Sequence, residues 1–270
     1  MATTDLHSAD EQEEKPLPFV APCRTLKTLQ PLDWLKHGWR DFRQAPRLSF
    51  AYGFIMTAIT MVIALWAYKV GSFVMAIALM AGFVFLFPAL AMGTYTISCH
   101  LERGESPKFL YCLRAGRKHM GNAAIFAFFL LIVFLVWARA SSMMHIFFPE
   151  QGAKTLSDMA GFLAVAGVIV LIFSSVVFGA SAFSLPMIMD RRVDAITAII
   201  TSFNAVLQNK KAMLVWLAII LAGVALGFAS GLLLMPLILP VLGHATWHAY
   251  RETVVADEWV QRKATRLNPE

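Results

Sequence analysis

Two histidines four residues apart, His244 and His248, come nearest to chemistry by type and spacing. Imidazoles one helical turn apart share a face and could ligate a metal or a haem. A closed metal site uses further carboxylate or thiolate partners, and this pair stands without them. In the plainer reading, His248 joins Trp247 and Tyr250 in an aromatic belt at a membrane interface, and His244 hydrogen-bonds a neighbouring helix. His100 falls at a helix end and His145 in a loop, too few well-placed imidazoles for a haem-copper core.

Arg139 is the second candidate. It follows eighteen uncharged residues, Gly121 to Ala138, and ten uncharged positions follow it. An arginine inside a membrane marks a functional site by default and needs a partner. From the end of a span it can instead snorkel to the headgroups, and that is the simpler expectation. The three cysteines, Cys23, Cys99 and Cys112, form no Cys-x-x-Cys pair, against a disulfide framework or a zinc site. Cys99 and Cys112 flank a basic loop and read as inert thiols. The sequence shows no glycine-rich phosphate loop, no nucleophile–base–acid set and no carboxylate within a span. It therefore points to no enzyme, no cofactor and no metal, and away from a proton- or cation-coupled pump.

The elements that hold these residues follow from charge. Asp, Glu, Lys and Arg are absent from 48–68, 70–101, 119–138, 159–189 and 212–250. About 18 uncharged apolar residues suffice to cross a hydrocarbon core of roughly 30 Å, and in lipid such runs must be helical. The last run has 39 residues and as one helix would extend about 58 Å. It should fold back at Met235-Pro236, since proline suits the start of a helix. The spans are then near 49–68, 72–98, 121–140, 160–188, 212–234 and 236–254. All but Lys69, Arg139 and Lys154 of the 23 Lys and Arg residues fall on one side of six spans. Cytoplasmic loops carry that excess, so both termini are expected in the cytoplasm. The fold class is all-α: a polytopic helical membrane protein of about six transmembrane helices with three interfacial amphipathic helices. The net charge of +6 suits anionic headgroups better than nucleic acid, which is not an expected partner.

Internal echoes divide the chain. Leu32 to Ala45 places Leu35, Gly38, Trp39 and Phe42 on one helical face, and Lys36, Arg40, Asp41 and Arg43 on the other. The segment 193–209 matches it through Ile196, Ile199, Ile200 and Phe203, with Asp33 and Asp194 as expected N-caps. Gly93, Thr96 and Glu102 recur 150 residues later as Gly243, Thr246 and Glu252. Three units of amphipathic helix plus hairpin result, about 31–100, 105–190 and 192–255. They lie between an acidic tail, 1–30, expected to be disordered, and a cytoplasmic tail, 256–270. A basic face with aromatic residues opposite suits the plane of the interface, so Lys36, Arg40 and Arg43 are expected to contact lipid headgroups. Gly223, Gly227 and Gly231 form a stripe that lets a helix approach closely, either a span of the same chain, with Ser174, Ser175 and Gly179 opposite, or a second copy. Pro88, Pro186 and Pro240 should kink the even-numbered spans.

The segments PLDWLKHGWRDFRQAPRLSFAYG (31–53), ISCHLERGE (97–105) and LPVLGHATWHAYRE (239–252) resemble an uncharacterised family of bacterial integral membrane proteins, domain of unknown function 2189. The resemblance covers about 30 to 255. It implies an inner-membrane protein of about six spans and supplies no activity. Oxidase-subunit labels attached to some members find no ligand set here. The third unit is also similar to membrane domains fused to glycerophosphodiester phosphodiesterases, which implies only that the helix-plus-hairpin unit is reused. A scaffold, assembly or envelope-homeostasis role is the leading expectation, with lipids and protein partners or a homo-oligomer as company. A small transporter or channel for a neutral or lipidic substrate comes second, and a haem or respiratory accessory subunit third.

Overall fold

Pro46 sets the first corner of the fold. Helix α1 (Gln30–Gln44) carries proline in its first turn and ends where the Ala45 N–H bonds the Asp41 carbonyl at 3.0 Å. Proline biases the residue before it away from helical geometry, and Ala45 sits at φ −126°. Helix α2 (Pro46–Val70) leaves at 106° to α1. The computed structural model describes residues 18–70, 92–107, 120–147 and 156–261. Within them follow α3 (residues 92–102), α4 (Met120–Phe147), α5 (Leu156–Asp190), α6 (Ala195–Gln208), α7 (Lys210–Ala229) and α8 (Met235–Thr253). Extended pairing among the described residues is confined to isolated bridges, Cys23 to Val254 and Arg191 to Gln261.

Gly121–Ala140, Gly167–Asp190 and Lys210–Ala229 are long and apolar enough to cross a membrane, and the bent pair α1–α2 adds a fourth if counted as one span. Their outward surface is apolar: Ile125 and Phe128 on α4, Leu171 and Ile172 on α5, and Leu214 and Leu221 on α7 are all exposed. Lipid is the solvent that accepts such a surface. The chain is a helical integral membrane protein. Of the six expected spans, 72–98 lies mostly outside the described residues. The sixth is α8, and it is not among the helices apolar enough to qualify. The fold-back is present: α7 stops at Ala229, Gly231 and Leu232 take φ of +64° and +70°, and α8 starts at Met235 with proline in its first turn.

The amphipathic helices pack across units. Helix α1 lies along α8, α2 also packs on α8, and α6 lies along the end of α5. Each described amphipathic helix thus rests on the second helix of another unit. Residues 108–119, in the part of the chain where the second amphipathic helix was expected, lie outside the described residues.

Several expectations need correction. Asp33 is not an N-cap, because α1 begins three residues earlier; it pairs with Lys36 at 3.0 Å instead. Asp194 is the cap of α6, accepting from the Thr197 N–H at 2.9 Å. The buried face of α1 is Pro31, Trp34, Gly38, Asp41 and Phe42, while Trp39 is exposed. The buried face of α6 is built on Ala198, Thr201, Ser202 and Ala205, with Ile196 exposed. Residues 18–29, assigned to a disordered tail, are docked. Ala21 is fully buried with its N–H on Thr201 Oγ1, and Asn209 bonds both the Leu26 N–H and the Arg24 carbonyl. The C-terminal tail is likewise tied down as far as Gln261, with Trp259 buried and the Arg192 N–H on the Val260 carbonyl.

Candidate functional site

From His244 onward α8 carries a polar side chain on almost every position, yet it is the helix most surrounded by others. His244, Trp247, His248, Tyr250, Arg251 and Glu252 find partners on other elements, while Thr246 and Thr253 bond carbonyls of α8 itself. His244 is fully buried, with Nε2 2.9 Å from Ser49 Oγ on α2 and Nδ1 2.8 Å from Ser98 Oγ on α3. A neutral imidazole offers one donor and one acceptor, so one serine accepts and the other donates. One turn on, His248 Nε2 lies 2.7 Å from Asp41 Oδ2 on α1, a carboxylate only 3% exposed. The His37 ring centroid stands 5.2 Å from that of His248.

Four carboxylates complete the belt. Glu102 at the end of α3 accepts from Trp247 Nε1 at 3.0 Å and Arg251 Nε at 3.2 Å. Glu252 accepts from Trp34 Nε1 at 2.7 Å and Gln30 Nε2 at 2.9 Å. Asp190, at the end of α5, accepts from Arg191 Nε at 2.9 Å and the Tyr250 hydroxyl at 3.0 Å. Arg191 Nη1 in turn donates to the Trp259 carbonyl at 3.0 Å. With Asp41 on His248, these pairs clamp α8 to α1, α3 and α5, and the Ser49–His244 bond adds α2. Hydrogen bonds to charged groups are worth about 1.5–3 kcal/mol each, and a buried polar group left alone costs as much.

The 150-residue echo has a structural meaning. Glu102 and Glu252 each accept an indole N–H. Thr96 and Thr246 each donate to the carbonyl four residues back, Met92 and Leu242, at 2.8 Å. Gly93 and Gly243 each sit where a Cβ would strike a neighbour, Tyr52 in one case and Thr94 in the other.

Backbone approach is tightest around α8. A Cβ on Gly38 would stand 2.6 Å from the Ala245 nitrogen and 2.7 Å from the Val241 carbonyl oxygen. Gly53 of α2 meets the Pro236 carbonyl. That carbonyl lacks its helical donor because Pro240, four residues on, has no N–H. Only a glycine lets α2 come this close to the freed oxygen.

His244 and His248 therefore point to separate partners and do not converge on a ligand. Among the described residues no group of three or more His, Cys, Asp or Glu could hold a metal ion. Arg139 lies on α4 with its side chain exposed, and no described carboxylate pairs with it. Gly223 and Gly227 face α8 of the same chain, through Ile238 and Leu242 in one case and Met235 in the other. Gly231 is beyond the helix end, in the turn, with open space around it. Gly179, expected opposite the stripe, packs on Phe203 of α6 instead. Lys36, Arg40 and Arg43 project from the exposed face of α1. Pro186 and Pro240 sit inside α5 and α8; Pro88 lies outside the described residues.

Ser49, Ser98 and Asp190 were not singled out from the sequence; Asp41, expected on the polar face of α1, and Trp34, expected at headgroup depth, are both buried. Asp190 closes an uncharged run, and Glu102 and Glu252 repeat at an offset of 150; these are the signals that could have found them. Residues 74–190 match the family model described as "Predicted integral membrane protein (DUF2189)". Over that segment the match agrees with the resemblance carried by the motifs. Comparison with curated proteins and with solved structures gives no match.

Proposed function

We propose that this integral membrane protein is a non-enzymatic scaffold of the bacterial cytoplasmic membrane, serving assembly or envelope homeostasis through protein partners or further copies of itself. The observation that carries the reading is the belt on α8. Its imidazoles, indole, guanidinium and carboxylates are directed at other helices of the same chain, which supports a rigid platform. A conduction path or a catalytic centre would turn such groups toward a substrate. The test is purification in mild detergent followed by reconstitution. A scaffold should keep a partner or its own copies in fixed stoichiometry and leave proteoliposomes tight to small solutes. Uptake or leak that depends on the protein would overturn the reading in favour of a transporter.

The orientation proposed is both termini in the cytoplasm. Segment 18–29 bonds 253–255, Glu102 bonds Arg251, and Arg192 bonds Val260. The two chain ends and the loops after α3 and α5 thus gather at one end of the bundle. These are the segments richest in Lys and Arg, which supports a cytoplasmic placement by the positive-inside rule. A reporter active only in the cytoplasm should work when fused after residue 261 or inserted within 103–107. A periplasmic signal at either place would reverse the assignment.

A further inference from the structure

The outer face of α1 combines two kinds of side chain that water and hydrocarbon would each reject in part. Leu32 and Trp39 are 42% and 43% exposed, and Lys36, Arg40 and Arg43 are exposed beside them. At 100° per residue these five fall within one stripe, opposite Trp34, Gly38 and Asp41, which are buried on α8. An aromatic path leaves that stripe and turns the corner. Trp39 stacks on Phe42 at 5.5 Å, Phe42 meets Phe50 at 4.9 Å, and Phe50 meets Phe54 at 6.2 Å. Because α2 leaves α1 at 106°, the path begins along α1 and ends down the side of α2. Phe54 at its far end is 60% exposed.

We propose that this corner is a binding site for an anionic phospholipid. Lys36, Arg40 and Arg43 hold the headgroup phosphate, and one acyl chain lies along Phe50 and Phe54. Basic side chains near a bilayer attract anionic lipid, and arginine pairs well with phosphate oxygens. Trp39 sits at headgroup depth, where an indole is at home. The occupant is lipid because the basic stripe is continuous with an exposed apolar wall; a free phosphate would use the stripe and leave Phe50 and Phe54 idle. The site depends on membrane placement and not on the scaffold role, so either can fail alone.

The full chain, purified in a neutral detergent, should be given mixed micelles of phosphatidylglycerol and phosphatidylcholine, and the retained lipid counted by native mass spectrometry. The wild type should retain phosphatidylglycerol in preference. Lys36→Gln/Arg40→Gln/Arg43→Gln should lower that preference by on the order of tenfold or more. Phe50→Ala/Phe54→Ala should weaken retention of long-chain phosphatidylglycerol and leave a short-chain version unchanged. Lys210→Gln/Lys211→Gln, a charge change on an exposed site elsewhere, should leave the preference intact. A triple variant that keeps the preference, a control that lowers it equally, or displacement of the lipid by inorganic phosphate at equal concentration would each overturn the site.

Discussion

Gly38→Ala tests the contact on which the α1–α8 pairing rests. The added Cβ would lie 2.6 Å from the Ala245 nitrogen and 2.7 Å from the Val241 carbonyl oxygen, where ordinary contacts begin at 3.4 Å. Both obstacles are backbone of a helix held on several sides, so α1 itself must retreat, by roughly 0.8 Å. The bonds from Trp34 to Glu252 and from His248 to Asp41, both 2.7 Å, would then open to about 3.5 Å, past useful hydrogen-bond length. Losing two charge-assisted bonds costs about 3–6 kcal/mol. Alanine returns about 1 kcal/mol through its better helix propensity, and partial relaxation shortens the retreat. A net loss of about 2–4 kcal/mol is expected, consistent with the ~1–3 kcal/mol of an overpacked contact. The unfolding midpoint in detergent should drop by on the order of 10 °C. Gly167→Ala is the control, because its Cβ meets nothing within 4 Å and should be neutral or slightly stabilising. If Gly38→Ala melts with Gly167→Ala, α1 does not rest on α8 at backbone distance and the clamp is misdrawn.

Trp34→Phe and Trp247→Phe each remove the indole donor from a glutamate, Glu252 and Glu102. Each should cost about 1–3 kcal/mol in detergent melting, whereas Trp39→Phe, at an exposed stacked position, should cost little. Leu232 holds φ +70° in the turn before α8; Leu232→Gly should stabilise by about 1 kcal/mol by removing left-handed strain, measured by the same melt. Asp194→Ala should cost about 1 kcal/mol through loss of the α6 cap. Burial raises the Asp194 carboxyl, but hydrogen bonds from Thr197 and nearby backbone outweigh it and hold its pKa below the ordinary value of 3.8. A depressed folded pKa gives stability that is present above that ordinary value and lost as pH falls through the folded one. The gap between wild type and Asp194→Ala should therefore be full at neutral pH and shrink on strong acidification.

What was legible in the sequence was whatever depended on the absence of charge. Among the described residues the uncharged runs 48–68, 119–138 and 159–189 lie in long helices, and the 39-residue run turns back where Met235-Pro236 offers a helix start. What was not legible was the belt, because the rule that charged residues face outward fails where each has a partner. Asp41 was assigned to the polar face of α1 and proved buried, since His248 supplies its hydrogen bond. The same rule placed Leu35, not Trp34, at the centre of the apolar face; Trp34 is buried because Glu252 takes its N–H. The acidic tail concealed Ala21 to Leu26 in the same way. Too few apolar residues are present there to predict burial, and the docking rests on backbone bonds to Thr201, Asn209 and Thr253.

The position of α8 in the chain fixes the order in which the bundle can be finished. Synthesis is vectorial, and the helix that satisfies Ser49, Ser98, Glu102 and Asp190 emerges from the ribosome after the helices that carry them. Until it arrives, Ser49 and Ser98 lack the imidazole between them, Glu102 lacks its indole and guanidinium donors, and α1 lacks the helix it lies along. A nascent chain halted after Ala229 would present every one of those groups to chaperones and membrane proteases at once. Arrival of α8 turns that exposed state into a closed one.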